Sequence, residues 1–246
     1  MTTIISFDLD DTLIRTGELY DSAYEHFGVF MEDSFGINKQ HAVTTARDTS
    51  FSMMDEYGLS IDRVSISMIQ AAEQLVDDIS EDSIDRIREI GYEPFISEEE
   101  FAERGFIDGA ERMLDNAAEI ADKTIIVTVG DPRGQQPKIN ALGLDTRVDE
   151  VYIPSYDTGK AMILDSVMKD NGVLPNQVFH IGNSATSDMR AITEVGGWGI
   201  YIPCMRDIFA DDEQHDAMIN HERVFTYETA NEVADALDTL VERNIP

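Results

Sequence analysis

Three acids, Asp8, Asp10 and Asp11, follow an apolar run at residues 3–7, close to the start of a 246-residue chain. The run reads as a buried parallel strand, so Asp8 and Asp10 stand at its carboxyl end, where open α/β sheets bind their ligands. Acids placed straight after a buried strand need a reason. A divalent cation together with a phosphate would supply one; the alternative is an N-cap cluster in which Asp10 or Asp11 starts a helix. Later strand-like runs end on further polar residues. Thr128 follows residues 124–127, Lys160 comes after residues 149–153, and Asn183 and Asp188 come after residues 177–181. A carboxylate nucleophile can split a hydrolysis into two easier steps, and a cation bound to it screens its repulsion of an anionic phosphate. A lysine beside the two would stabilise the charge of the transition state.

In this order the residues resemble the motifs of the haloacid dehalogenase superfamily. Its first motif, Asp-x-Asp-x-Thr after the first strand, is matched by Asp8, Asp10 and Thr12. Thr128 is similar to its second motif, Lys160 in Asp157-Thr158-Gly159-Lys160 to its third, and Gly182-Asn183-Ser184 through Asp188 to its fourth, with Asn183 in place of the usual first acid. Thr128-Val129-Gly130-Asp131, followed by Gln135 and Lys138, resembles a branch of small-molecule phosphatases that carries Thr-x-Gly-Asp and often Gly-Asn-Ser, within the helical-cap, phosphoglycolate phosphatase-like subfamily. The resemblance implies a small-molecule phosphomonoesterase with Asp8 as nucleophile and Asp10 as general acid and then base. It implies further that Thr128, Val129, Gly130 and Lys160 hold the phosphoryl group and that Mg²⁺ is bound by Asp8, Asp10, Asn183 and Asp188. Asn183 can offer an amide oxygen to a hard cation but lacks the charge, so the site would hold the metal less tightly or lean on Asp188. Two other readings stay open. One is dehalogenase chemistry, in which the same aspartate attacks carbon without a metal, although members of that kind lack an acid at the place of Asp10. The other is a phosphate-binding or regulatory protein without turnover.

Elements that would position these residues are visible in the patterning. Residues 3–7, 124–127, 149–153, 177–181 and 197–202 are short β-branched and aromatic runs. Helical periods fill residues 136–142, 159–169, 187–195 and 229–241 between and after them, and strands alternating with helices imply right-handed crossovers and a parallel sheet. Residues 16–103 break the alternation. Tyr20, Tyr24, Phe27 and Met31 recur at helical spacing, as do Ile61, Val64, Met68, Ala72, Leu75 and Ile79, with turns expected at Gly58-Leu59-Ser60 and Gly91-Tyr92-Glu93-Pro94. The expected fold is α/β: a Rossmann-like three-layer core with a parallel sheet, formed by residues 1–15 and 104–246, plus an inserted α-helical cap formed by residues 16–103. The segment 205–246 is expected to add a strand near Val224-Phe225-Thr226 and a final helix.

Composition narrows the partners. A net charge of −31, from 49 acidic and 18 basic residues, disfavours nucleic acids and anionic membranes as partners. A small phosphorylated molecule in a local cationic pocket is compatible with it. Only five residues are lysine, and the acids are spread along the chain, which points to a salt-adapted cytoplasm in which the Debye length is a few ångström. No run approaches the roughly 20 apolar residues of a membrane span, and the N-terminus lacks the basic region of a secretory signal. Cys204 is the only cysteine, which excludes an intramolecular disulfide. His26, His41, His215 and His221 form no metal-binding spacing, and His180, inside the strand before Asn183, reads as packed or hydrogen-bonded.

Overall fold

The structure, a computed structural model, describes residues 2–204 and 212–244. Residues 1, 205–211 and 245–246, which the sequence reading counts with the core, lie outside the described residues. By its internal contacts the chain forms two units. One comprises Met1–Arg15, Glu98–Val129 and Gln135–Pro246, the other Thr16–Ser97 and Gly130–Gly134.

The first unit is built on one six-stranded parallel sheet: β1 (Ile4–Phe7), β2 (Lys123–Val127), β3 (Glu150–Tyr152), β4 (Val178–Gly182), β5 (Trp198–Tyr201) and β6 (Val224–Thr226). Their spatial order is β3-β2-β1-β4-β5-β6, so the winding direction reverses between β1 and β4. This is the switch point at which doubly wound sheets open a crevice beyond the strand ends. Successive strand side chains alternate between the two faces. On one face Ile4, Ile125, Val127 and Val178 pack with Leu164 and Val167 of the helix Gly159–Asn171 and with Ile192 of the helix Arg190–Glu194. Their alternates Ile5, Phe7, Ile126, Phe179 and Ile181 are inaccessible too, so both faces are covered. The strands found differ from the expected runs by a residue or two at their ends. The strand and helix expected near the C-terminus are β6 and Ala230–Asn244. Residues 187–195 are not one regular helix: a π-turn, Ala185–Met189, precedes the short α-helix Arg190–Glu194.

The second unit is helical. Tyr24, Phe27 and Met31 of Gly17–Phe35 bury against Ala42 and Ala46 of Lys39–Ser52, Val64, Met68 and Ala72 of Asp62–Leu75, and Ile87 and Ile90 of Glu81–Tyr92. The turn expected at Gly91-Tyr92-Glu93-Pro94 falls in the second half of that stretch, at Glu93-Pro94, while Gly91 and Tyr92 are the last residues of Glu81–Tyr92. A Cβ on Gly91 would lie 2.3 Å from Ser65 Cα, so glycine is what lets the two helices approach. Gly130–Gly134 joins this unit through polar contacts: Asp131 is bound by the Arg133 guanidinium at 2.6 Å and by the Ile61 backbone N–H at 3.4 Å, and Arg133 reaches Asp62 at 2.8 Å. The Arg133 hydrogen bonds hold the Asp131 carboxyl below the usual range, and those from Tyr92 and Arg133 do the same for Asp62. No helix among the described residues is long and apolar enough to cross a membrane. Gly91→Ala is expected to force the two helices apart and to lower the stability of the helical unit by about 1–3 kcal/mol, measured by urea unfolding followed by circular dichroism.

Candidate active site

The carboxyl end of β1 leads into a tight loop closed by Leu13 N–H to Leu9 C=O at 2.9 Å and Asp11 N–H to Ile14 C=O at 2.8 Å, with Asp11 in the left-handed region at φ 54°. Aspartate tolerates that conformation better than most residues. The ladder continues past the strand ends: Asp8 N–H donates to Ile181 C=O at 2.9 Å and Thr128 N–H to Tyr152 C=O at 3.0 Å. The backbone of both residues is thereby fixed to the sheet.

Lys160, in the first turn of Gly159–Asn171, donates through its ammonium to Asp8 Oδ1 and to Asp188 Oδ1. All three side chains are buried: Asp8 is 6% exposed, Lys160 5% and Asp188 0%. Asp188 is held from two further directions, by the Ser184 backbone N–H at 2.9 Å and by His180 Nε2 at 3.1 Å. A carboxylate only accepts, so Nε2 carries the proton and His180 Nδ1 accepts from the Ser6 hydroxyl at 2.9 Å. Gly182 makes room for this arrangement, because a Cβ there would stand 2.3 Å from Asp188 Cγ.

Two carboxylates thus share one buried ammonium, and their environments separate them. Burial pushes the Asp8 carboxyl up to about 7; Lys160 opposes this, and the charges of Asp188 and Asp10 add to it. Asp188 moves the other way, because the Lys160 charge and the His180 hydrogen bond outweigh its burial and hold it well below the usual range. Burial would lower the Lys160 ammonium, but the two carboxylates outweigh it and raise it. Burial lowers His180, which keeps the ring neutral as the hydrogen bonds require.

Asp10 occupies a second cluster. Lys138 Nζ donates to Asp10 Oδ1 at 2.6 Å, while Gln135 Nε2 donates to Asp10 Oδ2 at 2.8 Å and to Thr128 Oγ1 at 2.9 Å. The two clusters meet at Asn183. Turned with its nitrogen inward, the Asn183 amide donates to Thr12 Oγ1 at 3.2 Å, Asp8 Oδ2 at 3.3 Å and the Asp10 carbonyl oxygen at 3.0 Å. Turned the other way, its oxygen accepts from Thr12 and its nitrogen donates to Cys204 Sγ at 2.9 Å. That second orientation brings oxygens of Asp8, Asp10 and Asn183 together with no proton between them. Oxygens on neighbouring corners of an octahedral Mg²⁺ site, about 2.0–2.1 Å from the ion, stand about 3 Å apart, so this donor set fits a hard divalent cation.

The structure therefore brings Asp8, Asp10, Thr128, Lys160, Asn183 and Asp188 into one connected network at the switch point. Asp188 faces Lys160, His180 and Ser184 with both of its oxygens. Of the other residues read from the sequence, Val129 accepts from Gln135 Nε2 through its carbonyl at 3.2 Å, and Gly130 groups with the helical unit. Ser6, as the partner of His180, is missing from the sequence reading, and Gln135 and Lys138 were noted there without a role. Their signal was polarity out of place: a serine and a histidine inside apolar strands, and two long polar side chains three apart behind Thr128.

A doubly wound parallel sheet with an acidic cluster at its switch point defines a Rossmann-like α/β enzyme. The model of the haloacid dehalogenase-like hydrolases matches residues 2–196, and the chain belongs to that family of hydrolases. No curated protein sequence matches it. Solved structures share its fold. A haloacid dehalogenase-like family hydrolase from Xanthomonas campestris is 22% identical, with a TM-score of 0.75 over 99% of this chain and 95% of its own. A predicted phosphoglycolate phosphatase from Haemophilus somnus 129pt is 14% identical, with a TM-score of 0.63 over 96% of this chain and 98% of its own. The L-2-haloacid dehalogenase from Xanthobacter autotrophicus, with chloropropionic acid covalently bound, is 13% identical, with a TM-score of 0.58 over the same shares of the two chains.

His180→Leu removes a donor from the buried Asp188 carboxylate. The expected loss of stability is about 1.5–3 kcal/mol in urea unfolding, with Ser6→Ala costing less because its bond is between neutral groups.

Proposed function

We propose that the protein is a phosphomonoesterase acting on a small molecule, with Asp8 as nucleophile, Asp10 as general acid and base, and a divalent cation, Mg²⁺, as cofactor. The observation that carries this reading is the acid pair itself. Asp8 and Asp10 stand at one strand end, each hydrogen-bonded to its own buried lysine, and attack on carbon by Asp8 alone would leave the Asp10 cluster without a task. In the first step an Asp8 oxygen attacks phosphorus, the bond to the leaving oxygen breaks, and Asp10 gives that oxygen a proton. In the second, Asp10 takes a proton from water, the water oxygen attacks phosphorus, and cleavage of the Asp8–phosphorus bond returns the carboxylate and releases inorganic phosphate. Lys160 stabilises the negative charge that passes between Asp8 and the phosphoryl group, and Thr128, with the amides of Val129 and Gly130, holds phosphoryl oxygens. Asp8, the Asp10 carbonyl and Asn183 would hold the cation, and Asp188 would keep Lys160 in place or join them. When bound, the cation screens the anionic phosphate from Asp8 and offsets the burial that works against its ionised form.

The test is phosphate release from p-nitrophenyl phosphate and a panel of sugar, nucleotide and glycolate phosphates, with Mg²⁺ or EDTA, for the wild type and Asp8→Asn. Release that needs Mg²⁺ and is abolished by the substitution is expected. Chloride release from 2-chloropropionate without metal would establish dehalogenase chemistry instead. No turnover, with Mg²⁺ and beryllium fluoride raising the melting temperature of the wild type only, would establish a binding protein.

The acidic surface is an adaptation to a salt-rich cytoplasm, where short Debye lengths screen the self-repulsion of 49 acids. Circular dichroism is expected to show helix content rising with potassium chloride from 0 to molar concentrations. Full structure at low salt would count against it.

A further inference from the structure

Asp10 is gripped at both oxygens by two side chains of one helix, Pro132–Ala141. Lys138 holds Oδ1 and Gln135 holds Oδ2, and the two also hold each other, Lys138 Nζ donating to Gln135 Oε1 at 2.7 Å. Residues three apart on a helix are neighbours, which is how both reach one carboxylate. The Lys138 ammonium lies 5.9 Å from the centre of the Phe101 ring, which lines its remaining side. Lys138 is thereby hydrogen-bonded to Asp10 and to Gln135.

This arrangement is hard to explain by stability. Lys138 is 4% exposed, whereas the Asp10 side chain keeps 32% of its surface open to solvent. Burying an ammonium costs more than a half-open carboxylate returns in an ordinary ion pair. Of the five lysines in the chain, the two that are buried are the ones on Asp8 and Asp10. Gln135 adds a second function to the grip, because the same amide nitrogen lies 2.9 Å from Thr128 Oγ1. The carboxylate that would move the proton is thus measured off against the hydroxyl that would hold the phosphoryl group.

We infer that Gln135 and Lys138 are positioning residues that fix the orientation of the Asp10 carboxylate for proton transfer to the leaving oxygen and from the attacking water. The inference rests on the phosphatase reading and deepens it. Its signature is dependence on the leaving group. A p-nitrophenolate departs as a stable anion and needs no proton, whereas an alkoxide does. Water attack in the second step needs Asp10 whatever group has left.

The experiment compares the wild type with Lys138→Met and, as a second variant, Gln135→Leu, on p-nitrophenyl phosphate and on glycerol 2-phosphate or ethyl phosphate, at saturating Mg²⁺. Variants are matched to the wild type by circular dichroism and by the Mg²⁺ concentration for half-maximal rate. Misplacing a reacting group by about 1 Å can cost about 10²-fold, so the alkyl phosphate kcat is expected to fall by about that much. For Lys138→Met the pre-steady-state release of p-nitrophenol should keep its wild-type rate and be followed by slow turnover, because the phosphoryl group then waits on Asp8; Gln135→Leu, which also frees Thr128, should show the same slow turnover with a slower burst. Equal losses on both substrates with no burst, or no loss on either, would overturn the inference while leaving the phosphatase reading standing. A wild type that releases phosphate from none of these compounds overturns that reading and this inference together.

Discussion

Asp8, Lys160 and Asp188 are ionisable groups confined in one dry place at the ends of β1 and β4, and the first unit is arranged around that constraint. Taking such charges out of water is tolerable only where every oxygen and proton finds a partner. The sheet supplies part of the answer through its register, since Ser6 and His180 stand opposite each other on β1 and β4 and can carry hydrogen bonding through the core to Asp188. Gly182 supplies more by leaving the space that the Asp188 carboxyl occupies. What stays unsatisfied is charge, because two carboxylates share one ammonium, and that residue of negative potential attracts a cation.

The strands, their order of appearance and most of the acidic cluster were legible in the sequence because they depend on local signals. A run of β-branched residues announces a strand, and an acid directly after it is visible without knowing what lies beside it. Gly91 shows the limit: the turn expected from it onward is present at Glu93-Pro94, but the packing role of Gly91 itself is not readable from its neighbours. Glycine is read as punctuation, whereas here its partner is Ser65 on another helix, and no local pattern carries that contact. The same holds for the grip on Asp10, whose partners are 125 and 128 residues away, and for His180, 174 residues from Ser6. Thr-x-Gly-Asp illustrates a third kind of limit. Thr128 belongs to the sheet unit, but Asp131, three residues on, is held by Ile61 and Arg133 in the helical one, so one short motif serves two bodies.

Basic residues are few, and the structure shows where they are placed. Arg112 ties the helix Ala110–Ile120 to Ala230–Asn244 through Asp235 and Asn231, and Arg147 binds Glu111 and Asp115. These pairs are exposed and individually weak. The cations with larger consequences are the two buried lysines, each facing an acid at the same strand end. Two of the five ammonium groups of a chain with such an excess of carboxylates thus stand where chemistry has been proposed for it, and the other three pair with acids elsewhere.

Gly130–Gly134 belongs to the helical unit although the sheet unit's chain continues on either side of it. The helical unit is therefore woven from two pieces of polypeptide, and four passages of the chain join the bodies where a plain insertion would have two. Lifting out Thr16–Ser97 would take Ile61 and Asp62 away and strand Asp131 and Arg133 without them. The helical unit is thus not a cassette that recombination could pass to another core in a single cut. Any exchange must bring along the five residues Gly130–Gly134 as well, from a stretch that otherwise belongs to the sheet unit.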